Sequence, residues 1–191
     1  MWNAFVAKEF LDIIKDCANK YAGKLFKPLD TRMKNEELIT ILAYLAYIEK
    51  KDSINPGEYL NIFVRNQRIN ARISTKSHIT NRLTDISSNY DSLFKNALQD
   101  VEKFIEKMQI LCGEDFENFN SLIAHTKKNT QSRTNQNFYL LCIAVAHIEK
   151  KRLEKEKEEI FKKIQNMFLI SQDIKEDEFD VKNYIKELSE I

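Results

Sequence analysis

A chain of 191 residues that is 43% hydrophobic has enough apolar surface for one sizeable core, and one domain is the default for that length. With 3 Gly and 2 Pro it lacks the turn residues of a hairpin-rich sheet protein and cannot build a glycine-rich phosphate loop. Its 30 basic and 29 acidic residues nearly cancel, so no global field draws it to DNA or to a membrane, and nucleic-acid contact would have to come from a local patch.

Trp2 to Ala22 reads as the first helix, because Phe5, Val6, Phe10, Ile13, Ile14, Cys17 and Tyr21 recur at helical spacing. Gly23 follows, where a helix C-cap would stand. Lys8 and Glu9 interrupt the first apolar run early, so no secretion signal is expected and the protein reads as cytoplasmic.

The stretch from Asp30 to Lys51 organises the rest. From Leu38 to Ile48 only Thr40 is plainly polar, and a helix apolar on nearly all sides is buried on nearly all sides. The run is shorter than the roughly 20 residues that span a bilayer, so a core helix is predicted. Asp30, Thr31 or Asn35 serves as its cap, Glu36 and Glu37 suit its first turn, and Glu49-Lys50-Lys51 suits its end. Arg32 is expected to reach Glu36 one turn on.

Asn55-Pro56-Gly57-Glu58 reads as a new helix start, with Asn at N-cap, Pro at N1 and Glu at N3. Tyr59, Leu60, Ile62, Phe63 and Val64 would give that helix its core face. From Arg65 to Arg82 the character changes. Arg65, Arg68, Arg72, Lys76 and Arg82 are accompanied by Asn, Gln, Ser and Thr and by no acidic residue. This segment reads either as a helix end plus loop or as a continuous polar helix.

Ile79, Leu83, Ile86, Tyr90, Leu93, Ala97, Val101, Phe104, Met108 and Leu111 keep the α-helical period, with no Gly or Pro before Gly113. They predict a helix of roughly 30 residues, about 45 Å long. Glu114 to Ala124 reads as a short helix with Phe116, Phe119, Leu122 and Ile123 inward. Thr126 to Asn137 is a polar loop made basic by Lys127, Lys128 and Arg133. Phe138 to Ile148 is a second apolar helix. Both apolar runs end in Ala-Xaa-Ile-Glu-Lys-Lys, at Ala46 to Lys51 and at Ala146 to Lys151. Two short buried helices leaving a core produce such a match by chance, the reading preferred here over an ancient duplication. Glu149 to Lys163 is a charge run over a thin stripe of Leu153, Ile160, Phe161 and Ile164, read as a solvated helix extension. Asp173 to Asp180 is an acidic connector, and Val181, Tyr184, Ile185 and Leu188 mark a last short helix. The expected fold is all-α: a single-domain multi-helix bundle over residues 1–170 with two buried apolar helices and one long helix, then an acidic connector and short helix over 171–191.

Few residues invite chemistry. Cys17, Cys112 and Cys142 are widely spaced in apolar contexts and read as reduced, packed thiols. His78, His125 and His147 lack metal-ligand spacing, and His147, inside an apolar run, reads as a core histidine. The carboxylate pairs Glu36/Glu37 and Glu114/Asp115 fall at helix starts, where the helix dipole accounts for them. No catalytic residue, metal ligand or cofactor is assigned. Two segments are candidates for nucleic-acid contact: Arg65, Arg68, Arg72, Lys76 and Arg82, and Lys127, Lys128 and Arg133. Interspersed Arg, Lys, Asn, Gln, Ser and Thr are the residues that contact phosphates. An ordinary solvated loop is the competing reading.

Asn3-Ala4-Phe5, Phe10-Leu11, Thr31-Arg32-Met33-Lys34-Asn35-Glu36-Glu37-Leu38-Ile39, Tyr59-Leu60-Asn61-Ile62-Phe63 and Phe94-Lys95-Asn96-Ala97-Leu98 follow one another in an order that resembles the C-terminal helical part of the GmrSD-type restriction proteins. The resemblance covers residues 1 to 150. That family carries its chemistry in an N-terminal ParB-like nuclease domain, around an Asp-Gly-Gln-Gln-Arg motif. Here Asn66-Gln67-Arg68 keeps only a Gln-Arg pair, in another region, and takes no such role. No HNH pattern is present either. The resemblance therefore implies a non-catalytic accessory region of an antiphage restriction system: a fragment, a split subunit or a decayed copy. Its implied partners are a ParB-like or HNH nuclease domain or subunit and DNA, with no membrane. A helical adaptor or antitoxin-like interaction module is the alternative, and an enzyme assembled from distant residues is the third reading.

Overall fold

The computed structural model describes residues 8–22, 34–52, 60–65, 68–73, 83–84, 86, 92–113, 135–168, 180, 183, 186–187 and 190–191. The protein is an all-α helical bundle in class. Among the described residues it has six helices: α1 (Lys8–Lys20), α2 (Lys34–Asp52), α3 (Ser92–Cys112), α4 (Asn135–Val145), α5 (Lys150–Lys155) and α6 (Lys157–Phe168). One two-stranded hairpin, β1 (Leu60–Arg65) and β2 (Arg68–Ile73), interrupts them. The chain divides into two compact units, Met1–Tyr59 with Ile73–Lys103, and Leu60–Arg72 with Phe104–Ile191.

In the first unit α1 packs against α2. The all-apolar run of α2 is buried as its composition requires: Ile39, Leu42, Ala43, Tyr44 and Ile48 have no exposed surface. Each such leucine or isoleucine side chain removed from water stabilises the fold by about 1.5–3 kcal/mol. Thr40 is equally buried, and its hydroxyl donates to the Glu36 carbonyl at 2.8 Å. That bond one turn back lets a polar side chain sit inside the core without an unmet donor. Phe10, Ile14 and Cys17 form the buried stripe of α1, with Tyr21 buried just past its end, and Phe94, Ala97, Leu98 and Val101 form that of the first half of α3. The Phe94 ring meets Phe10 and Tyr47 edge-on, with centroids 5.2 and 6.0 Å apart, and so ties three helices together. Phe5, Val6 and Arg32 lie outside the described residues.

Polar contacts fasten the same helices at their rims. Lys50 near the end of α2 donates to Asp100 of α3, as does Lys103 at 3.1 Å, and Lys20 of α1 pairs with Glu102 at 3.5 Å. Partial burial alone would raise the Asp100 carboxyl. The hydrogen bonds from Lys50 and Lys103, with their charges, outweigh it and hold the group below the usual carboxylate range. A lowered folded value makes this contribution fully present above the unfolded value near 3.9 and lost as pH falls through the folded one. Asp100→Asn should therefore cost about 0.5–1 kcal/mol at neutral pH, discounted for solvent access, and nothing at strongly acid pH. Urea midpoints of wild type and variant at both pH values check this, and an equal loss at both would refute it.

Helix α3 has 21 residues, Ser92–Cys112, and is roughly 32 Å long. The predicted helix from Ile79 is longer. Of its early stripe Leu83 and Ile86 are buried, whereas 79–82 and 87–91 lie outside the described residues. Gly113 ends α3 with φ 69°. Its N–H donates to the Gln109 carbonyl at 2.8 Å, the left-handed cap that a residue with a Cβ adopts only at a cost.

In the second unit the stripe of α3 continues through Phe104, Ile105, Met108, Leu111 and Cys112, all buried. Tyr139, Leu140, Leu141, Ala144 and Val145 of α4 are buried as well. The apolar run does not stay helical to Ile148. Helix α4 stops at Val145, Ile148 N–H turns back to the Val145 carbonyl at 3.2 Å, and Glu149 is extended, with φ −64° and ψ 138°. The Lys107 ammonium of α3 donates to the Ala146 carbonyl, a cation on a group the ended helix leaves without an internal donor. The break turns His147 out to solvent, which corrects its reading as a core residue. It also separates the two Ala-Xaa-Ile-Glu-Lys-Lys segments, since Ala46 to Lys51 is continuous helix in α2. One local sequence takes two backbones, so surrounding contacts and not the hexapeptide decide its structure.

The charge run that follows is two helices, not one extension. Leu153, Ile160 and Ile164 are buried and Phe161 half-buried, which is the predicted stripe. The chain kinks at Glu156, with φ −113° and ψ 23°. Glu156 N–H still donates to the Arg152 carbonyl at 2.8 Å and Ile160 N–H to the Glu156 carbonyl at 3.0 Å, so the ladder carries across the kink. On the exposed side Arg152 pairs with Glu156, and Glu159 with Lys163, both at 2.9 Å and both one turn apart.

The hairpin is the main correction. The helix expected over Tyr59 to Val64 is strand from Leu60, and Arg65 and Arg68–Ile73 are strand rather than a helix end or a polar helix. The capping-box pattern of Asn55 to Glu58 outweighed a second pattern in the reading, the alternation of apolar and polar residues from Leu60 onward.

Candidate nucleic-acid interface

Conventional chemistry finds no foothold among the described residues. No group of three or more His, Cys, Asp or Glu side chains gathers there as a metal site, and no helix is long and apolar enough to cross a membrane. No disulfide joins the cysteines. Burial pushes the Cys17 thiol up to about 12, with Glu102 adding to the rise and Lys20 opposing it. Burial likewise pushes Cys112 up to about 12, against the opposing charge of Lys157. The thiolate is the reactive form, so both side chains behave as small hydrophobes. In a thiol-labelling time course at pH 8, Cys17 and Cys112 should react only on unfolding, well after the half-buried Cys142. Equal, rapid labelling of all three in the native protein would contradict their burial.

The basic residues are left. Lys76, Arg82, Lys127, Lys128 and Arg133 lie outside the described residues, and no convergence of the two segments is described. Arg65, Arg68 and Arg72 lie on the hairpin. Its two strands have six residues each and pair as a two-stranded sheet. Along β1, Asn61, Phe63 and Arg65 alternate with Leu60, Ile62 and Val64, and along β2, Arg68, Asn70 and Arg72 alternate with Ile69, Ala71 and Ile73.

Arg65 thus ends β1, and Arg68 and Arg72 stand at alternate positions of β2. Their spacing, three and four residues, suits one face of a helix equally well, so it is the alternation of Leu60, Ile62 and Val64, and of Ile69, Ala71 and Ile73, that marks strands. No acidic residue occurs from Tyr59 to Thr84.

No known protein family matches the chain, and neither does any curated protein or solved structure. None of these comparisons links the chain to the GmrSD-type restriction proteins.

Proposed function

We propose that this chain is a non-catalytic helical accessory domain that holds nucleic acid by its phosphate backbone, through Arg65, Arg68 and Arg72 of the hairpin. One observation carries the reading: three arginines on two paired strands, in a segment without acidic residues. Arginine presents a planar fork of donors that matches phosphate oxygens, and charges of one sign gathered in one short segment are the footprint of a polyanion partner. In this reading cutting or hydrolysis belongs to a separate nuclease domain or subunit of the ParB-like or HNH kind, for which the order of the GmrSD-like motifs is the support.

Fluorescence anisotropy with labelled duplexes of unrelated sequence tests the proposal. Arg68→Ala with Arg72→Ala should weaken binding to all of them alike, whereas Lys162→Ala on the exposed side of α6 should not. Absence of binding at low salt, or binding indifferent to the arginines, would rule the hairpin out. Purified chain should turn over neither DNA nor nucleotide, and reproducible cleavage abolished by one internal substitution would overturn the non-catalytic assignment.

A further inference from the structure

We infer that residues 146–149 are the hinge of a domain swap, in which α4 and α5 fuse into one helix and α5–α6 pack onto a second copy of this chain. The break between α4 and α5 holds no Gly or Pro, and the sequence after it is not that of a helix start. Glu149, outside the Ser, Thr, Asp and Asn set that caps helices best, stands at the N-cap, and Lys150, Lys151 and Arg152 follow. Three cations in a first turn oppose the positive end of the helix dipole, whereas within a longer helix they do not. The matching segment Ala46 to Lys51 runs as helix in α2. Fusion also gives helical partners to the carbonyls that end α4 and the N–H groups that begin α5. What holds the break is tertiary: the Lys107 ammonium donates to the Ala146 carbonyl, and Ile148 is buried.

The break also lets two apolar stripes serve one compact unit. From Leu141 on, the buried residues of α4 and the turn after it are Leu141, Ala144, Val145 and Ile148; those of α5 and α6 are Leu153, Ile160 and Ile164. At about 100° per residue, one unbroken helix would set the second group roughly 130° around the axis from the first. Straightening therefore carries Leu153, Ile160 and Ile164 away from the surface that covers them within a single chain. A second copy straightened in the same way leaves that same surface open, so two copies exchange α5–α6 reciprocally about a two-fold axis. Each stripe then meets the surface it meets in the monomer, and no new side-chain chemistry is required.

Size-exclusion chromatography with light scattering, on full-length protein refolded from urea over a range of concentrations, tests this. The expected result is a dimer whose share rises with the concentration at refolding and which persists on dilution, because undoing the exchange requires unfolding. Lys107→Met removes the donor to the Ala146 carbonyl and keeps an aliphatic stem, so it should raise the dimer share several-fold. Glu149→Pro suits the closed form, where φ is −64°, and is barred from a helix interior, so it should lower the dimer constant by about a hundredfold or more. His147→Gly, at an exposed position, should lower it several-fold and keeps the test open if the proline variant fails to fold, which circular dichroism of each variant reports. Monomer alone at every concentration, in wild type and in Lys107→Met, would overturn the inference. A dimer as abundant in the folded proline or glycine variant as in wild type would show association without fusion of α4 and α5, and would overturn it as well.

Discussion

Phe94→Ala is expected to destabilise the first unit by about 3–5 kcal/mol, the range for removing a fully buried aromatic ring. Phe94 has no exposed surface, and its ring meets Phe10 of α1 and Tyr47 of α2 edge-on. The substitution therefore loses the transfer free energy of the ring, leaves a cavity among three helices and removes two aromatic pairs, each worth about 0.5–1.5 kcal/mol beyond area. Against a typical domain stability of about 5–15 kcal/mol, this leaves the unit marginal. Amide hydrogen exchange of α1 and α2 is the direct readout, since their protection should fall together. Unchanged protection in either helix would mean that Phe94 does not join them.

Leu42→Ala should cost about 2–5 kcal/mol, because Leu42 lies wholly inside on a helix covered all round. Leu93→Ala makes the control. It removes the same atoms from a residue that retains 37% of its surface in water, and should shift stability by no more than about 0.5 kcal/mol. The contrast isolates burial from side-chain type and from helix propensity. A urea midpoint for Leu42→Ala equal to that of Leu93→Ala would contradict the burial of α2.

The helices were legible because their signals were long and single-valued. Eleven residues with one polar member, from Leu38 to Ile48, admit only a covered helix. The α3 stripe from Ala97 to Leu111 repeats too often for another period to compete, although Leu93, expected on it, is exposed and Phe94 takes the buried position; Gly113 marks the end of the helix by being the residue that accepts a positive φ. The breaks near Ala146 and Glu156 left no such mark. Neither contains Gly or Pro. At the first, Lys107 of a distant segment donates to the Ala146 carbonyl, a contact that cannot be read locally. His147 was misjudged for the same reason, since its exposure depends on where α4 stops.

The candidate site was legible in composition but not in geometry. Arg65, Arg68 and Arg72 stand out as unbalanced charge, and their three- and four-residue steps fit a helix face, so the charge pattern gives no hint of strands. Three features hid the strands: a helix-start pattern at Asn55 to Glu58, a connection without the Asn-Gly of common tight turns, and Phe63 among the alternate positions. Counting alternation recovers both strands, because Leu60, Ile62 and Val64 in β1 and Ile69, Ala71 and Ile73 in β2 are all apolar.

The central claim is that the arginines of the paired strands carry nucleic-acid binding, and the salt dependence of affinity tests it most directly. Each phosphate neutralised on B-form DNA contributes about −0.9 to the slope of log affinity against log salt. Three phosphate-contacting arginines predict that changing Arg65, Arg68 and Arg72 together to Ala flattens the wild-type slope by roughly 2.7, with folding by circular dichroism unchanged. A slope identical in wild type and triple variant would contradict the account, because the charge released on binding would then come from elsewhere in the chain.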